Sequence, residues 1–392
     1  MRIAIAVSHP IQHFCPQYIS FEKIEDIRCK IFFASTLGYK KYVDPSFKQE
    51  ISWDNLHLDK FEHCFLNGEV IIPSDKKLDA VSVEDELREY KPDVIITYGY
   101  WQKFQKRVYR WAVKHHIKLV YISDSELRHK SNIVKKVVKF IFIKKYFSKI
   151  DLFLSVGDAN EDFYKHYGVN PAQIIRMHFP IDIYLYEKSY NSREFLREQI
   201  RNRYLIGKEE IVASVVGKLI SRKRQDIIIK AMELMEMEGI YMHLFIIGSG
   251  ERLKYLRKKA QNLKISKVHF TGFIKVQDLP GFYAASDFYI HPSTFEPHSI
   301  AVSEAIYMGC PVIVSDKCGS YGKSDDVQEG KNGFVFDSEN VEELIDAMRL
   351  LIKNSQIRKN FSEYSHSISK KFQQCAHSTV IKEIKAQFLK KL

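Results

Sequence analysis

The chain has no Cys-x-x-Cys pair, no Asp-x-Asp carboxylate motif, no low-complexity tract and no apolar run near the roughly 20 residues of a membrane-spanning helix. Its six cysteines, Cys15, Cys29, Cys64, Cys310, Cys318 and Cys375, stand far apart. That spacing argues against a zinc ribbon and a disulfide framework and fits reduced thiols in a cytoplasmic protein. The opening MRIAIAVSHP is too short an apolar run for a signal peptide and reads as a β-strand stopped at Pro10. With 17 glycines and 11 prolines in 392 residues, a collagen-like or disordered whole-chain reading fails.

What is present suits two globular domains. Hydrophobic residues make up 45% and charged residues 28% of the 392, and a domain commonly takes about 150 residues. Sixty Lys and Arg against 48 Asp and Glu leave +12, which points to an anionic partner. Nucleic acid, an acidic membrane surface and a phosphorylated small molecule all satisfy that charge.

Short apolar runs alternate with amphipathic stretches. Ile3–Val7, Ile31–Phe33, Val94–Thr97, Leu119–Ile122 and Leu152–Val156 read as strands, with helices over Trp101–His115 and Glu161–Tyr167. The rhythm restarts with Ile211–Val216, His243–Ile247, Val268–Thr271, Phe288–Ile290 and Val312–Ser315 as strands. Helices over Gln225–Met237, Glu251–Leu263, Ser303–Met308 and Val341–Asn354 separate or follow them. Repeated strand–helix units predict an α/β protein with two doubly wound parallel sheets. The charged segment Tyr184–Lys208 reads as a linker with an exposed helix. The expected domains are therefore 1–185 and 186–370, with a helical tail over 371–392 that crosses back to the first half.

The most informative segment is HPSTFEPHSIAVSEAIYMGCPVIVSDKCGSYGKSDDVQEGKNGFVFD, His291–Asp337. Glu296 precedes Pro297 and is restricted to extended geometry. Ser299 reads as a helix N-cap, with Ile300 opening a helix that carries Glu304. Such a helix end offers backbone N–H groups and a favourable dipole to a phosphate. The two carboxylates suit sugar hydroxyls. A phosphate flanked by two sugars describes a nucleotide-sugar.

The segment resembles the family 4 glycosyltransferases, retaining enzymes of the GT-B fold, whose hallmark is Glu, seven residues and Glu, followed by Gly-Pro-Val-like residues. Here these are Glu296, Glu304 and Gly309-Cys310-Pro311-Val312, with His291-Pro292-Ser293 before and Glu329-Gly330-Lys331-Asn332-Gly333 after. The resemblance implies two Rossmann-like domains facing across a cleft, the first for the acceptor and the second for the donor. It implies catalytic roles for Glu296 and Lys223, and donor contacts from Gly217, Lys218, Lys223, Phe273, Ile274, Glu296, Ser299, Ile300 and Glu304. In the loop Gly217–Arg224, Lys218 and Lys223 match the family's two diphosphate-holding positions, although many relatives have Arg at the first and Gly after the second. Gly248-Ser249-Gly250 invites a dinucleotide reading, but the third glycine position holds Leu253, so it reads as floor of the donor cleft. No cofactor or metal is implied.

The first half departs from the family pattern. Ser8-His9-Pro10-Ile11-Gln12-His13 replaces its Gly-rich loop, and Tyr121-Ile122-Ser123-Asp124-Ser125-Glu126 stands where relatives carry a cleft histidine. His9, His13 and Asp124 follow strands and are the acceptor-side candidates. The stretch 130–149 alternates lysines with Ile133, Val134, Val137, Val138, Ile141 and Phe142 at helical spacing. It suits either an anionic membrane surface or a helix packed on its own sheet.

The expected partners are a nucleotide-sugar donor and a glycan or lipid-linked glycan acceptor, without nucleic acid. The competing readings are a basic nucleic-acid or anionic-lipid binding protein and a GT-B-fold sugar-nucleotide epimerase. Against the first stands the lack of an aromatic-interleaved basic motif. A phosphorylase would need a pyridoxal-binding lysine that the sequence does not single out. An NAD oxidoreductase would need the missing glycine at Leu253.

Overall fold

The structure is a computed structural model that describes residues 1–44, 49–51, 53, 56–72, 77–128 and 133–389. Its contacts divide the chain into two units: Met1–Val156 with Asn160–Asp182 and Phe372–Leu392, and Ile183–Lys371 with Gly157–Ala159.

The first unit contains strands β1 (Arg2–Val7), β2 (Arg28–Phe33), β3 (Tyr42–Asp44), β4 (Gln49–Ile51), β5 (His63–Phe65), β6 (Val94–Tyr98), β7 (Lys118–Ile122), β8 (Leu152–Ser155) and β9 (Ile174–Arg176). Its sheet runs β5-β2-β1-β6-β7-β8-β9 and every pairing is parallel. The short β3–β4 pair is antiparallel and separate. Residues Ile3–Val7 are all buried, as a strand covered on both faces must be. The helices are α1 (Cys15–Phe21), α2 (Val83–Tyr90), α3 (Lys103–Lys114), α4 (Ile133–Phe147) and α5 (Asp158–His166). In α3, Phe104, Val108, Trp111 and Ala112 face the core at helical spacing.

The second unit contains β10 (Val212–Val216), β11 (His243–Ile247), β12 (Lys267–Gly272), β13 (Phe288–His291), β14 (Val312–Ser315) and β15 (Gly333–Phe336). Their order is β12-β11-β10-β13-β14-β15, again parallel throughout. Within this unit the order is 3-2-1-4-5-6, the doubly wound dinucleotide-type arrangement, and the first unit repeats it with one added strand. The helices are α6 (Ile183–Asn191), α7 (Arg193–Arg203), α8 (Gln225–Met237), α9 (Leu253–Ala260), α10 (Leu279–Ala285), α11 (Ile300–Tyr307), α12 (Val341–Lys353) and α13 (Ser355–Gln374). A π-helical turn, Cys375–Thr379, joins α13 to α14 (Val380–Leu389).

That last helix belongs to the first unit. Val380, Ile381, Ile384 and Phe388 pack in one core with β1, β2 and α1. Gln17 donates to the Ala376 carbonyl at 2.5 Å, and Gln373 both accepts from the Ile181 amide and donates to the Phe179 carbonyl.

The charged stretch Tyr184–Lys208 corrects the linker expectation. It forms α6 and α7, and Tyr186 is fully buried. Arg201 is also buried: its guanidinium donates to Asp287 at 2.8 Å and to the carbonyls of Ala285, Gly207, Lys208 and Glu210. Arg197 takes the other Asp287 oxygen at 2.7 Å. A charge paired and hydrogen-bonded on every side can be buried, which charge counting along the sequence does not reveal.

The helix expected within 130–149 spans Ile133–Phe147, and Lys130, Ser131 and Asn132 lie outside the described residues. Ile143, Tyr146 and Phe147 form its packed face. Val137, Val138, Ile141 and Phe142 are instead 53%, 63%, 63% and 46% exposed. These four members of the apolar stripe picked out by helical spacing therefore point outward.

Candidate active site

Where strand order reverses in a doubly wound sheet, adjacent loops run to opposite sides and leave a crevice at the strands' C-terminal ends. In the second unit that point lies between β10 and β13. The loop after β10 carries Gly217, Lys218 and Lys223, and the loop after β13 carries Glu296, Ser299 and Ile300. The two loops are tied where Thr294 donates its amide and its hydroxyl to the Arg222 carbonyl, at 2.8 and 3.2 Å.

Lys223 donates directly to the Glu296 carboxylate. His291 Nε2 lies 3.5 Å from the same oxygen, and its ring is oriented by Tyr289 at 3.1 Å and Ser293 at 3.2 Å. Burial alone would raise the Glu296 carboxyl, but His291 and the Lys223 charge outweigh it and hold the group down at about 2. Burial lowers the His291 pKa, with Lys223 adding to it and Glu296 opposing. Glu296 is thus an anion at any working pH. Its backbone is extended, as the following proline requires, and pairs in parallel opposite Cys318: its amide donates to the Lys317 carbonyl at 3.2 Å and its carbonyl accepts from the Gly319 amide at 2.7 Å.

Lys223 lies along Gly217, where a Cβ would stand 3.7 Å from its Cε. Gly217 has φ +148°, a conformation suited to glycine. Gly248 explains the Gly-x-Gly turn. A Cβ there would stand 2.1 Å from the Gly217 carbonyl oxygen, and one at Gly250 2.5 Å from that of Leu219. These glycines let the loop after β11 pack against the basic loop and hold it, through Gly217 N to Ile247 O and Leu219 N to Ser249 O, both 2.9 Å. Gly248 N donates to Gly272 O at 2.8 Å, so Phe273 and Ile274 emerge beside the same loops. Phe273 is 45% exposed.

Ser299 holds the N-cap of α11 with extended backbone, φ −117° and ψ 112°. Its hydroxyl makes no capping bond among the described residues, while its amide donates to Ser320 Oγ at 2.8 Å. Glu304, on the second turn, is buried and accepts from the Tyr283 hydroxyl at 2.9 Å. Tyr283 was not legible as a partner of Glu304, because the two residues meet only when α10 packs beside α11.

In the first unit the reversal lies between β1 and β6. A cavity of about 390 Å³ opens there, walled by Phe14, Tyr98, Tyr100, Trp101 and Phe179, with Ser123 and Asp124 as polar members. Asp124 is thus on the cavity. His13 packs at a tilt against Phe14 and Phe179, two of its walls. His9 sits behind, against Trp53 and bonded to Ser8 Oγ at 2.8 Å. Burial lowers His9 to about 4 and His13 to about 3, His9 adding to the second shift, so both are neutral near pH 7. Sequence reading missed the aromatic walls, which come from three separate loops.

The fold and these loops define a two-domain Rossmann-like protein with an anion-ready second domain. Residues 197–367, less than half of the chain, match the family described as Glycosyl transferases group 1. An uncharacterized glycosyltransferase of Haemophilus influenzae is 32% identical over 158 residues, 40% of this chain and 44% of that protein. The chain spans 44%, 24% and 42% of the lengths of the first curated relatives it matches. Among solved structures, a glycosyltransferase from Rickettsia africae superposes with a TM-score of 0.71 at 14% identity, covering 99% of this chain and 98% of that one. An Anabaena protein solved with UDP and glucose gives 0.67 at 17% identity, over all of both chains. At these identities the structures establish the fold.

Proposed function

We propose that the protein is a retaining glycosyltransferase that moves a sugar from a UDP- or GDP-sugar to a glycan or lipid-linked glycan in bacterial surface polysaccharide synthesis. The observation that carries this reading is the Lys223–Glu296 pair at the sheet reversal of the second unit, inside the segment that matches the glycosyltransferase family.

An ammonium has three donors. Lys223 can hold Glu296 with one and the donor diphosphate with another, and Lys218 on the same loop adds a second charge. The amides opening α11 at Ile300 supply further donors to the same phosphate. Glu304, oriented by Tyr283, takes the ribose hydroxyls, and Glu296 takes the transferred sugar. The bond from the sugar's anomeric carbon to the phosphate oxygen breaks as the acceptor oxygen bonds on the same face. The acceptor proton passes to the departing phosphate oxygen. Charge on that phosphate grows in the transition state, so Lys223 acts mainly on turnover. The aromatic cavity of the first unit, with Asp124, suits the acceptor's sugar ring.

Nucleotides test the donor site. One of UDP, GDP, ADP or CMP should raise the thermal unfolding midpoint. In Glu304→Gln that increment should shrink. No shift with any of the four would overturn the donor assignment.

The outward apolar face of α4, with Lys136, Lys139, Lys144 and Lys145 also exposed, supports peripheral docking on an anionic membrane. Among the described residues no helix is long and apolar enough to cross a bilayer. The protein should float with phosphatidylglycerol vesicles, and Val138→Glu with Ile141→Glu should abolish flotation. Equal recovery with phosphatidylcholine vesicles would contradict this docking.

A further inference from the structure

Behind the donor loops of the second unit lies a cluster that the proposed transfer does not use. His298, Asp325 and Asp326 have side chains 1%, 0% and 3% exposed. His298 Nε2 stands 3.5 Å from Asp325 Oδ1 and 3.6 Å from Asp326 Oδ2, and ligand-type atoms of all three lie within 4.8 Å of one another. Those separations are long for direct hydrogen bonds. They match ligands that share a cation: atoms about 2.1–2.4 Å from one ion stand roughly 3.0–3.9 Å apart at tetrahedral or octahedral angles.

Charge leads to the same place. Two carboxylates removed from water beside one imidazole are costly to hold together, and an ion shared by all three stabilises them. The carboxylates are held in place from outside the cluster. Ser303 Oγ donates to Asp326 Oδ2 at 2.5 Å, and the Asp158 amide donates to Asp325 Oδ2 at 2.7 Å. Gly157 leaves the room this needs, since a Cβ there would stand 2.3 Å from Asp325 Oδ2. Such outer contacts orient metal ligands.

We propose that His298 Nε2, Asp325 Oδ1 and Asp326 Oδ2 bind one divalent transition-metal ion, of the Mn²⁺ or Zn²⁺ class. One imidazole with two carboxylates favours these over Mg²⁺ and Ca²⁺, which prefer all-oxygen shells. The ion is structural. It fastens His298, two residues from Glu296 and adjacent to Ser299, to the segment between β14 and β15 that carries both aspartates. It therefore sets where the opening of α11 stands, and it does not depend on the identity of the nucleotide.

The test uses the intact protein after dialysis against chelator-free, metal-depleted buffer. Elemental analysis should find about one transition-metal ion per chain, or Mn²⁺ or Zn²⁺ added alone should restore that stoichiometry. Adding the ion to chelated protein without nucleotide should raise the unfolding midpoint by about 5 °C or more. His298→Ala and Asp326→Asn should each lose the bound ion while keeping the circular dichroism of the wild type. Metal content at the buffer blank, together with an unchanged midpoint on adding either ion, would overturn the site and leave an imidazolium–carboxylate ion pair. Should the variants fail to fold, the wild-type stoichiometry and midpoint decide alone. The nucleotide shift described above is measured separately, so failure of one assignment does not mask the other.

Discussion

Lys223→Ala should lower turnover on the order of 100- to 1,000-fold, the usual cost of removing a preorganised donor to developing charge. Its effect on donor binding should be smaller, because the proposed site also offers ground-state phosphate Lys218 and the opening of α11. A second signature follows from the electrostatics. Lys223 helps keep the Glu296 carboxyl at about 2, so its removal raises that pKa. The protonated carboxyl no longer accepts from the sugar as an anion, and the acid limb of the pH–rate profile should move to higher pH. Lys223→Arg keeps the charge and should recover part of the rate. The measurement is nucleoside diphosphate release from each candidate donor sugar, with and without acceptor, across pH. Turnover within twofold of wild type at pH 7 would remove Lys223 from the chemistry.

The largest effect on stability is expected at Asp287. Its carboxylate receives Arg197, Arg201 and the Val212 amide, at 2.7, 2.8 and 2.8 Å. Asp287→Ala leaves Arg201 charged in a site where its side chain is only 5% exposed. Breaking such a pair from one side costs about 3–5 kcal/mol. Urea denaturation should show that loss as a lower midpoint in the transition of the second unit. Replacing both partners, as Arg201→Met with Asp287→Leu, should cost less than Asp287→Ala alone, because no buried charge is then stranded. A single variant within 1 kcal/mol of wild type would show that the pair is solvated in solution.

The same pair shows where sequence reading stops. The strands of the two sheets are legible wherever four or more apolar residues run together, as in Ile3–Val7 and His243–Ile247, because both faces are covered. Three-residue strands such as β5 and β9 leave too short a pattern to register. Arg197 and Arg201 look like surface charge until α7 packs on α10 and shows their guanidinium groups the carbonyls there. Glu296, Glu304 and the two lysines are legible because they share two loops and a fixed spacing. Tyr283 and Asp325 are not, since their roles arise from neighbours distant in sequence. The 248–250 turn reads from sequence as floor of the donor cleft, and the structure adds that its glycines allow close packing between the loops after β10 and β11. On α4 the helical period is legible, but which side is buried is not, since two flanks of one helix can both be apolar.

The return of α14 to the first unit has a consequence for biosynthesis. Ribosomes deliver β1 long before Phe388, yet both lie in one core. The second unit, whose long segment is Ile183–Lys371, is fully emerged before that core can close. The half made first is thus finished second, and in the interval its face for Val380, Ile381 and Ile384 stands bare to chaperones and to other nascent chains. A break in the chain just before α14 would consequently damage the unit built around β1 rather than the one beside it in sequence.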